Sequence, residues 1–335
     1  MGNSSASAEQ SAAFSHLASG AEGANEEAKP PVGVQLGGEP DPQLDSQLVS
    51  LPPEVLETIF LNLPIKDLIK RCALLCRSLY LMLSPYSDFW RQKCLRDEVM
   101  IPPLARSSSC LNHAGPIDDP LAVADSGRLN YQRICVGRPF ERNLLTNCSG
   151  EAGLNDWIIR HGGNGMIVEN PPVNCDQVGF PCCFATSYEM CSKMQIVDLY
   201  SIGCDSLILD RLKPLIIASE SYAARPDCGS LYELKVLLCK SYRVHQRVSA
   251  RSPDLRSYSF DELAVKTTGP LHTEQWVGHD WHRAKLVFRD YPAGVRYVVF
   301  VSLGKDTQFW AGHYGAKMAQ ADLRLSFDQS LGEDG

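Results

Sequence analysis

The chain has no uncharged apolar run of about 18 or more residues, the length a membrane-crossing helix requires. Its start, Met1-Gly2-Asn3-Ser4-Ser5, has no basic stretch leading into an apolar one, which argues against a secretory signal. No CxxC pair occurs among the 13 cysteines, an odd number, so neither a zinc ribbon nor a closed disulfide framework is expected. Cys72 and Cys76 are spaced by one helical turn and Cys182 and Cys183 are adjacent; without an export signal, buried free thiols are the expectation. No nucleophile motif surrounds Cys191 or Cys228, and no glycine-rich loop runs into Lys-Ser/Thr, so neither thiol catalysis nor a phosphate loop is expected. Basic charge is also scarce. Lys and Arg number 32 against 39 Asp and Glu, a net charge of −7. Residues 1–48 hold seven acidic groups against the single Lys29, which accounts for −6, so the rest of the chain is nearly neutral and no nucleic-acid footprint is expected. There is no alternation of strand and helix patterns and no internal repeat. No cofactor and no metal is called for.

What is present divides the 335 residues into segments of different character. Residues 1–48 are rich in Ala, Ser, Gly, Glu and Pro with Phe14 as their one aromatic, too little apolar surface to offset the entropy of ordering; they are read as a disordered acidic tail. Gly2 invites an N-terminal lipid, but Ala6 stands where the motif asks for Ser or Thr, and an ordinary tail is favoured. Residues 49–96 read as a small α-helical unit. Pro52-Pro53 open a helix, Val55, Leu56, Ile59, Phe60 and Leu63 recur at helical spacing, and Pro64 stops it. Leu68, Ile69, Cys72 and Leu75, then Leu79, Leu81, Met82 and Leu83, then Phe89-Trp90 mark further short helices, with Pro85 between the last two. So small a bundle hides its apolar side chains poorly and is expected to present some of them to a partner. Residues 97–134 read as a linker, partly helical around 121–131.

Residues 135–328 read as β. Tyr232, Leu234, Val236 and Leu238 alternate onto one face of 231–238, and 195–199, 284–288 and 295–301 are further strands. Turns are expected at 161–165, 290–294 and 304–306. Short strands at this spacing predict an antiparallel β-sandwich, with 329–335 as a tail. The fold class is therefore α + β in separate domains: a small all-α bundle, then an antiparallel β-sandwich.

Leu51-Pro-Pro-Glu-Val-Leu-Glu-Thr-Ile-Phe-Leu-Asn-Leu-Pro64, with Asp67-Leu68, Leu75-Cys76-Arg77 and Phe89-Trp90, resembles an F-box, with Leu79 where many F-boxes have Trp. The second half resembles the F-box-associated domain of the sugar-binding F-box family. The resemblance is carried by Arg142-Asn-Leu-Leu145, Trp157, His161-Gly-Gly163, Thr186-Ser-Tyr-Glu-Met-Cys191, Gln195-Ile-Val-Asp-Leu199 and Ala224-Arg-Pro-Asp-Cys-Gly229. It continues through Leu231-Tyr-Glu-Leu234, Gln275-Trp276, Tyr291-Pro292, Gly294-Val-Arg-Tyr297 and Lys305-Asp-Thr-Gln-Phe-Trp-Ala-Gly-His-Tyr-Gly315. The resemblance implies a non-catalytic subunit of a Skp–cullin–F-box ubiquitin ligase. The F-box would dock on the Skp adaptor, with Leu51, Pro52 and Ile59 as the expected contacts. The β-sandwich would hold the inner sugars of high-mannose N-glycans on misfolded or mislocalised glycoproteins, through Asp227 and the pair Phe309-Trp310, with Ala311 following and Tyr222 helping to line the cleft. The setting implied is the cytoplasm, at the cytosolic face of the endoplasmic reticulum or at breached lysosomes.

The residue chemistry suits that ligand. A sugar offers hydroxyls and flat, weakly apolar C–H faces, which aromatic platforms and a few polar groups can hold. Trp310 can stack under a ring, Phe309 can close an apolar wall, and Asp227 can accept from two hydroxyls. Each charge-assisted bond contributes about 1.5–3 kcal/mol at best, so micromolar affinity is expected. Other readings stay open: Val55, Ile59, Phe60 and Leu63 as core, Phe309-Trp310 as sandwich packing, and Asp227 as a plain turn residue. So do a ligase subunit for a non-glycan protein substrate, a glycan-binding chaperone acting outside the ligase and, more remotely, a glycan hydrolase. His279-Asp-Trp-His282 spaces two histidines three apart; in a strand they would face opposite sides, poor geometry for one metal, and loop or strand histidines are the expectation. Asn147-Cys-Ser149 matches a glycosylation acceptor only formally.

Overall fold

A computed structural model describes residues 51–103, 129–140, 142–172, 179–245, 257–278 and 280–332. The tail 1–48, linker residues 104–128 and His279 lie outside the described residues. The chain divides into two compact units after Asp97.

In the first unit, prolines and turns cut the sequence into short helices. Pro53 begins α1 (Pro53–Leu61), Pro64 precedes α2 (Ile65–Lys70), and a 3₁₀ turn (Cys72–Leu74) leads to α3 (Arg77–Met82) and α4 (Asp88–Arg96). Their buried side chains close the core: Phe60, Leu68, Cys72, Leu79, Leu83, Phe89, Trp90 and Cys94. Trp90 is wholly buried and its indole donates to the Leu83 carbonyl (3.1 Å). Leu79 is 3% exposed, so it fills a core position that many F-boxes give to Trp, while Tyr80 beside it faces outward.

The second unit starts with α5 (Tyr131–Gly137), whose first turn is capped by the Asn130 side chain, accepting from the Arg133 amide. The strands are β1 (Ile158–Arg160), β2 (Ile167–Glu169), β3 (Cys183–Ala185), β4 (Cys191–Asp198), β5 (Leu215–Ala223), β6 (Ser230–Val244), β7 (Tyr258–Thr267), β8 (Leu271–Thr273), β9 (His282–Phe288), β10 (Tyr297–Asp306) and β11 (Lys317–Ser326). They form two antiparallel sheets, β1-β4-β10-β6-β7 with β8 added to β6, and β2-β3-β11-β5-β9. Tyr232, Leu234, Val236 and Leu238 are all buried, as their alternation predicts. The expected turn at 304–306 is instead the end of β10, paired with 230–232 of β6. Gly304 marks crowding there, since a Cβ would meet Met318 and Ala316 from the other sheet. Residues 329–332, assigned to a tail, form a 3₁₀ turn with Gly332 buried.

The core between the sheets is not purely apolar. Lys193 on β4 and Glu220 on β5 are both fully buried, with Nζ 2.6 Å from Oε1. Tyr232 of β6 donates its hydroxyl to Glu220 Oε2 (2.8 Å), and Tyr222 stacks flat on Tyr232 at 4.4 Å. The Lys193 ammonium lies 3.5 Å from the centre of Trp157, with Phe184 and Phe300 also around it. Burial pushes Lys193 below the ordinary lysine range against the opposing pull of Glu220, and pushes the Tyr232 hydroxyl well above its usual value. A second pair, Lys317 with Glu169 (2.6 Å), ties β11 to β2.

Removing Lys193 leaves the Glu220 carboxylate fully buried without its cation. Lys193→Met should destabilise the β unit by about 3–5 kcal/mol, and Lys193→Met with Glu220→Gln, which keeps an acceptor for Tyr232, should recover most of it. Urea denaturation of the full chain and both variants, followed by near-UV circular dichroism, checks this.

Candidate functional site

At one end of the sandwich the strand ends Arg160, Ala185, Ala223, Thr273 and Asp306 and the strand starts Cys191, Ser230 and Lys317 come together by register. The loops 161–166, 186–190, 224–229, 274–278 and 307–316 therefore share that end. They are stitched by backbone bonds: Asp306 N to Ser187 O, Thr307 N to Gly229 O, and Gly315 N to Thr186 O. Gly315 is required where its strand returns, because a Cβ would run into the Thr186 hydroxyl and the Asp306 amide.

The 307–316 loop is built on Asp306. Its carboxylate is almost fully buried and accepts from the amides of Phe309 (2.7 Å) and Trp310 (3.1 Å), a local turn that an aspartate side chain supports well. Further on, Asn164 Oδ1 accepts from Gly312 N (2.8 Å), Ser187 Oγ donates to Gly312 O (2.7 Å), and buried Lys317 donates to His313 O (2.6 Å). So anchored, Phe309 adopts a left-handed backbone (φ 61°), which a bulky residue rarely takes, and presents its ring 68% exposed. Trp310 is 40% exposed. Tyr188 meets Phe309 edge-to-face at 4.9 Å, and Tyr314 meets Trp310 the same way at 5.8 Å. Ala311 follows, exposed and too small to add either charge or a ring.

Asp227 lies in the β5–β6 turn. Arg225 Nε donates to its Oδ1 (2.6 Å) and the Arg225 guanidinium lies 4.5 Å from the Tyr314 ring, so the carboxylate and the aromatic edge are linked through one arginine. Oδ2 has no hydrogen bond among the described residues. The Gln275 amide donates to the Asp227 carbonyl (3.0 Å), drawing in the 274–278 loop. The structure therefore joins Asp227, Phe309 and Trp310 along one rim. Tyr222, half-buried on the strand that leads into the Asp227 turn, has its ring against Tyr232 and His282. Sequence reasoning missed Tyr188, Tyr314 and Arg225 as members; each stands in a quoted motif, but only the fold turns it toward the pair. Cys228, next to Asp227, is buried with its thiol pushed up to about 11 by that burial, and Cys191 is buried against the Gly162 backbone. Among the described residues no group of His, Cys, Asp and Glu is arranged to hold a metal ion. The Asn147 side chain donates to the Gly153 and Asn155 carbonyls.

In the helical unit, Ile59 is 43% exposed, Pro52 is exposed and Leu51 is half-buried. Val55, one turn before Ile59, is as exposed, and Leu74 and Leu81 are more so, while Phe60 faces the core.

The helical unit matches the family model described as F-box-like over residues 48–96, and the β unit matches the F-box associated region over residues 135–325. The chain belongs to the F-box proteins that carry an F-box-associated region. It is 30% identical to human F-box only protein 17 over 85% of this chain and 94% of that protein. It is 32% identical to human F-box only protein 6 over 84% of this chain and 85% of that one, and 32% identical to mouse F-box only protein 27 over 87% and 95%.

Asp306→Ala should leave two loop amides without an acceptor, cost about 1–3 kcal/mol and speed hydrogen exchange at Phe309 and Trp310. Trp310→Ala should change stability by less than about 1 kcal/mol, since much of its ring is already in water. Exchange measured by mass spectrometry alongside thermal unfolding distinguishes the two.

Proposed function

We propose that this chain is the substrate-recognition subunit of a Skp–cullin–F-box ubiquitin ligase, and that its β-sandwich holds the inner sugars of high-mannose N-glycans. The observation that carries the glycan reading is the pair Phe309-Trp310, held outward on a loop anchored at Asp306, with Asp227 on the same rim. Trp310 stacks on the apolar face of a pyranose ring. Phe309 and Tyr188 wall its side, and the Tyr188 hydroxyl offers the polar handle that Phe309 lacks. Asp227 accepts sugar hydroxyls through Oδ2 while Arg225 fixes Oδ1. A ligand of several hydroxyls and flat faces suits a shallow, mixed surface of this kind. Ala311 leaves the rim open where a longer side chain would project.

In the same reading, Leu51, Pro52, Val55 and Ile59 contribute to the contact with the Skp adaptor. The cullin ligase joined through that adaptor supplies the reaction, and this chain supplies proximity by holding the glycoprotein near the ubiquitin-loaded enzyme. Its place is the cytoplasm, where glycoproteins released from the endoplasmic reticulum or exposed by breached lysosomes present high-mannose chains. The chain itself performs no bond-making step.

Titration calorimetry of the full chain with a high-mannose oligosaccharide tests the sugar site. Micromolar binding by the wild type, lost in both Trp310→Ala and Asp227→Ala at unchanged thermal stability, is the expected result. No binding by the folded wild type moves the substrate into the protein-only class. For the other unit, Ile59→Asp should weaken capture of the purified Skp adaptor by at least about tenfold, the scale of losing one buried apolar anchor, with the far-UV helical signal retained. Undiminished capture contradicts the assigned contact.

A further inference from the structure

The β8–β9 loop carries the most exposed tryptophan among the described residues. Trp276 is 73% exposed, more than Trp310, and Val277 beside it is 61% exposed. Its backbone is left-handed (φ 62°), a conformation disfavoured for so bulky a residue. The loop is nevertheless fixed: Val277 N donates to Glu274 O, and the side chain of Gln275 donates to the carbonyl of Asp227. A large apolar ring is thus held in water, at a backbone cost, by a hydrogen bond to the very turn that bears the Asp227 carboxylate. Nothing in the packing of the sandwich uses it: no aromatic, hydrophobic-core or cation contact of Trp276 occurs among the described residues.

We propose that Trp276, on the loop bonded to the Asp227 turn, is a second stacking platform that takes an outer hexose of a branched oligosaccharide. This rests on the glycan reading above and deepens it: Trp310 and Asp227 hold the inner sugars, and Trp276 sets a preference for longer chains. Pairwise contacts link Tyr188, Phe309, Trp310, Tyr314, Arg225, Asp227 and the Gln275-Trp276 loop at this end of the sandwich. A flat exposed indole, on a loop bonded to the turn that carries the Asp227 carboxylate, suits a pyranose, which needs only a face to stack on and acceptors for its hydroxyls. A peptide side chain would need a recess to enter. The two clefts that stand out on this domain, of 380 Å³ beside β7 and β9 and of 500 Å³ beside β11, are lined by no residue of the rim.

The test compares a branched high-mannose oligosaccharide with its two-residue inner core, by calorimetry on the full chain, the Trp276→Gly and Trp276→Phe variants, and Trp310→Ala. Glycine relieves the left-handed backbone, so Trp276→Gly should unfold at the wild-type temperature or slightly above it. It should weaken the branched oligosaccharide about fivefold to tenfold, the scale of one stacked ring, and leave the inner core unchanged. Trp276→Phe should regain most of the loss, and Trp310→Ala should lose both ligands. Unchanged affinity of Trp276→Gly for the branched ligand, or equal loss for both ligands, overturns the second platform while leaving the Trp310 site standing. Failure of the wild type to bind either ligand overturns the glycan reading and the platform together.

Discussion

A lysine and a glutamate with no access to water hold the two sheets in one relationship. Lys193 and Glu220 come from different sheets and meet at 2.6 Å, with Trp157, Phe184 and Phe300 around the ammonium. Apolar packing alone tolerates small slides of one sheet across another, whereas a buried ion pair does not, because any displacement leaves two desolvated charges without their partner. From that point the order spreads toward one end. Glu220 also binds Tyr232, Tyr232 carries Tyr222, and β5 then turns into the segment that bears Asp227. On the opposite sheet, β10 runs out to Asp306, which sits opposite Ser230 and shapes the loop of Phe309 and Trp310.

The site that results is a rim of rings on anchored loops. Polar side chains that could have bound a ligand directly are instead used to hold the loops: Asp306, Asn164, Ser187, Lys317 and Gln275 all bond to backbone groups. What they leave exposed is aromatic, with one carboxylate half engaged by Arg225. Preorganisation of this sort lowers the ordering entropy that a weak ligand must overcome, and it suits recognition by several modest contacts. The left-handed backbones of Phe309 and Trp276 belong to the same logic: Phe309 is held by its own amide and that of Trp310 on Asp306, Trp276 by the bonds of Gln275 and Val277 on either side.

Much of this was legible in the residues, and the limits have physical reasons. The helical unit could be read from its prolines and Leu spacing, and β6 from the alternation of Tyr232, Leu234, Val236 and Leu238, because both patterns are local. Asp227 and the Phe309-Trp310 pair came from resemblance, and the fold brings them to one rim. That Tyr222 stacks on Tyr232 was not legible, because a tyrosine near a loop looks the same in sequence whichever ring it meets. Gly304 suggested a turn because a glycine's need for space cannot be distinguished, in sequence, from its freedom to bend. Lys193 and Glu220 stand 27 residues apart with nothing local to connect them. Tyr188 reaches Phe309, and Arg225 reaches Tyr314, only through contacts between distant loops.

The central claim is that ligand recognition belongs to the end of the sandwich defined by Asp227, Phe309 and Trp310. An NMR titration of the full chain with a high-mannose oligosaccharide, following backbone amides and indole N–H groups, tests it most directly. Shifts should concentrate in 186–190, 225–229, 274–278 and 306–316, with the Trp310 indole among the largest and the buried Trp157 indole nearly still. Shifts centred on the clefts beside β7 or β11, or on the outer face of the six-stranded sheet, would contradict it.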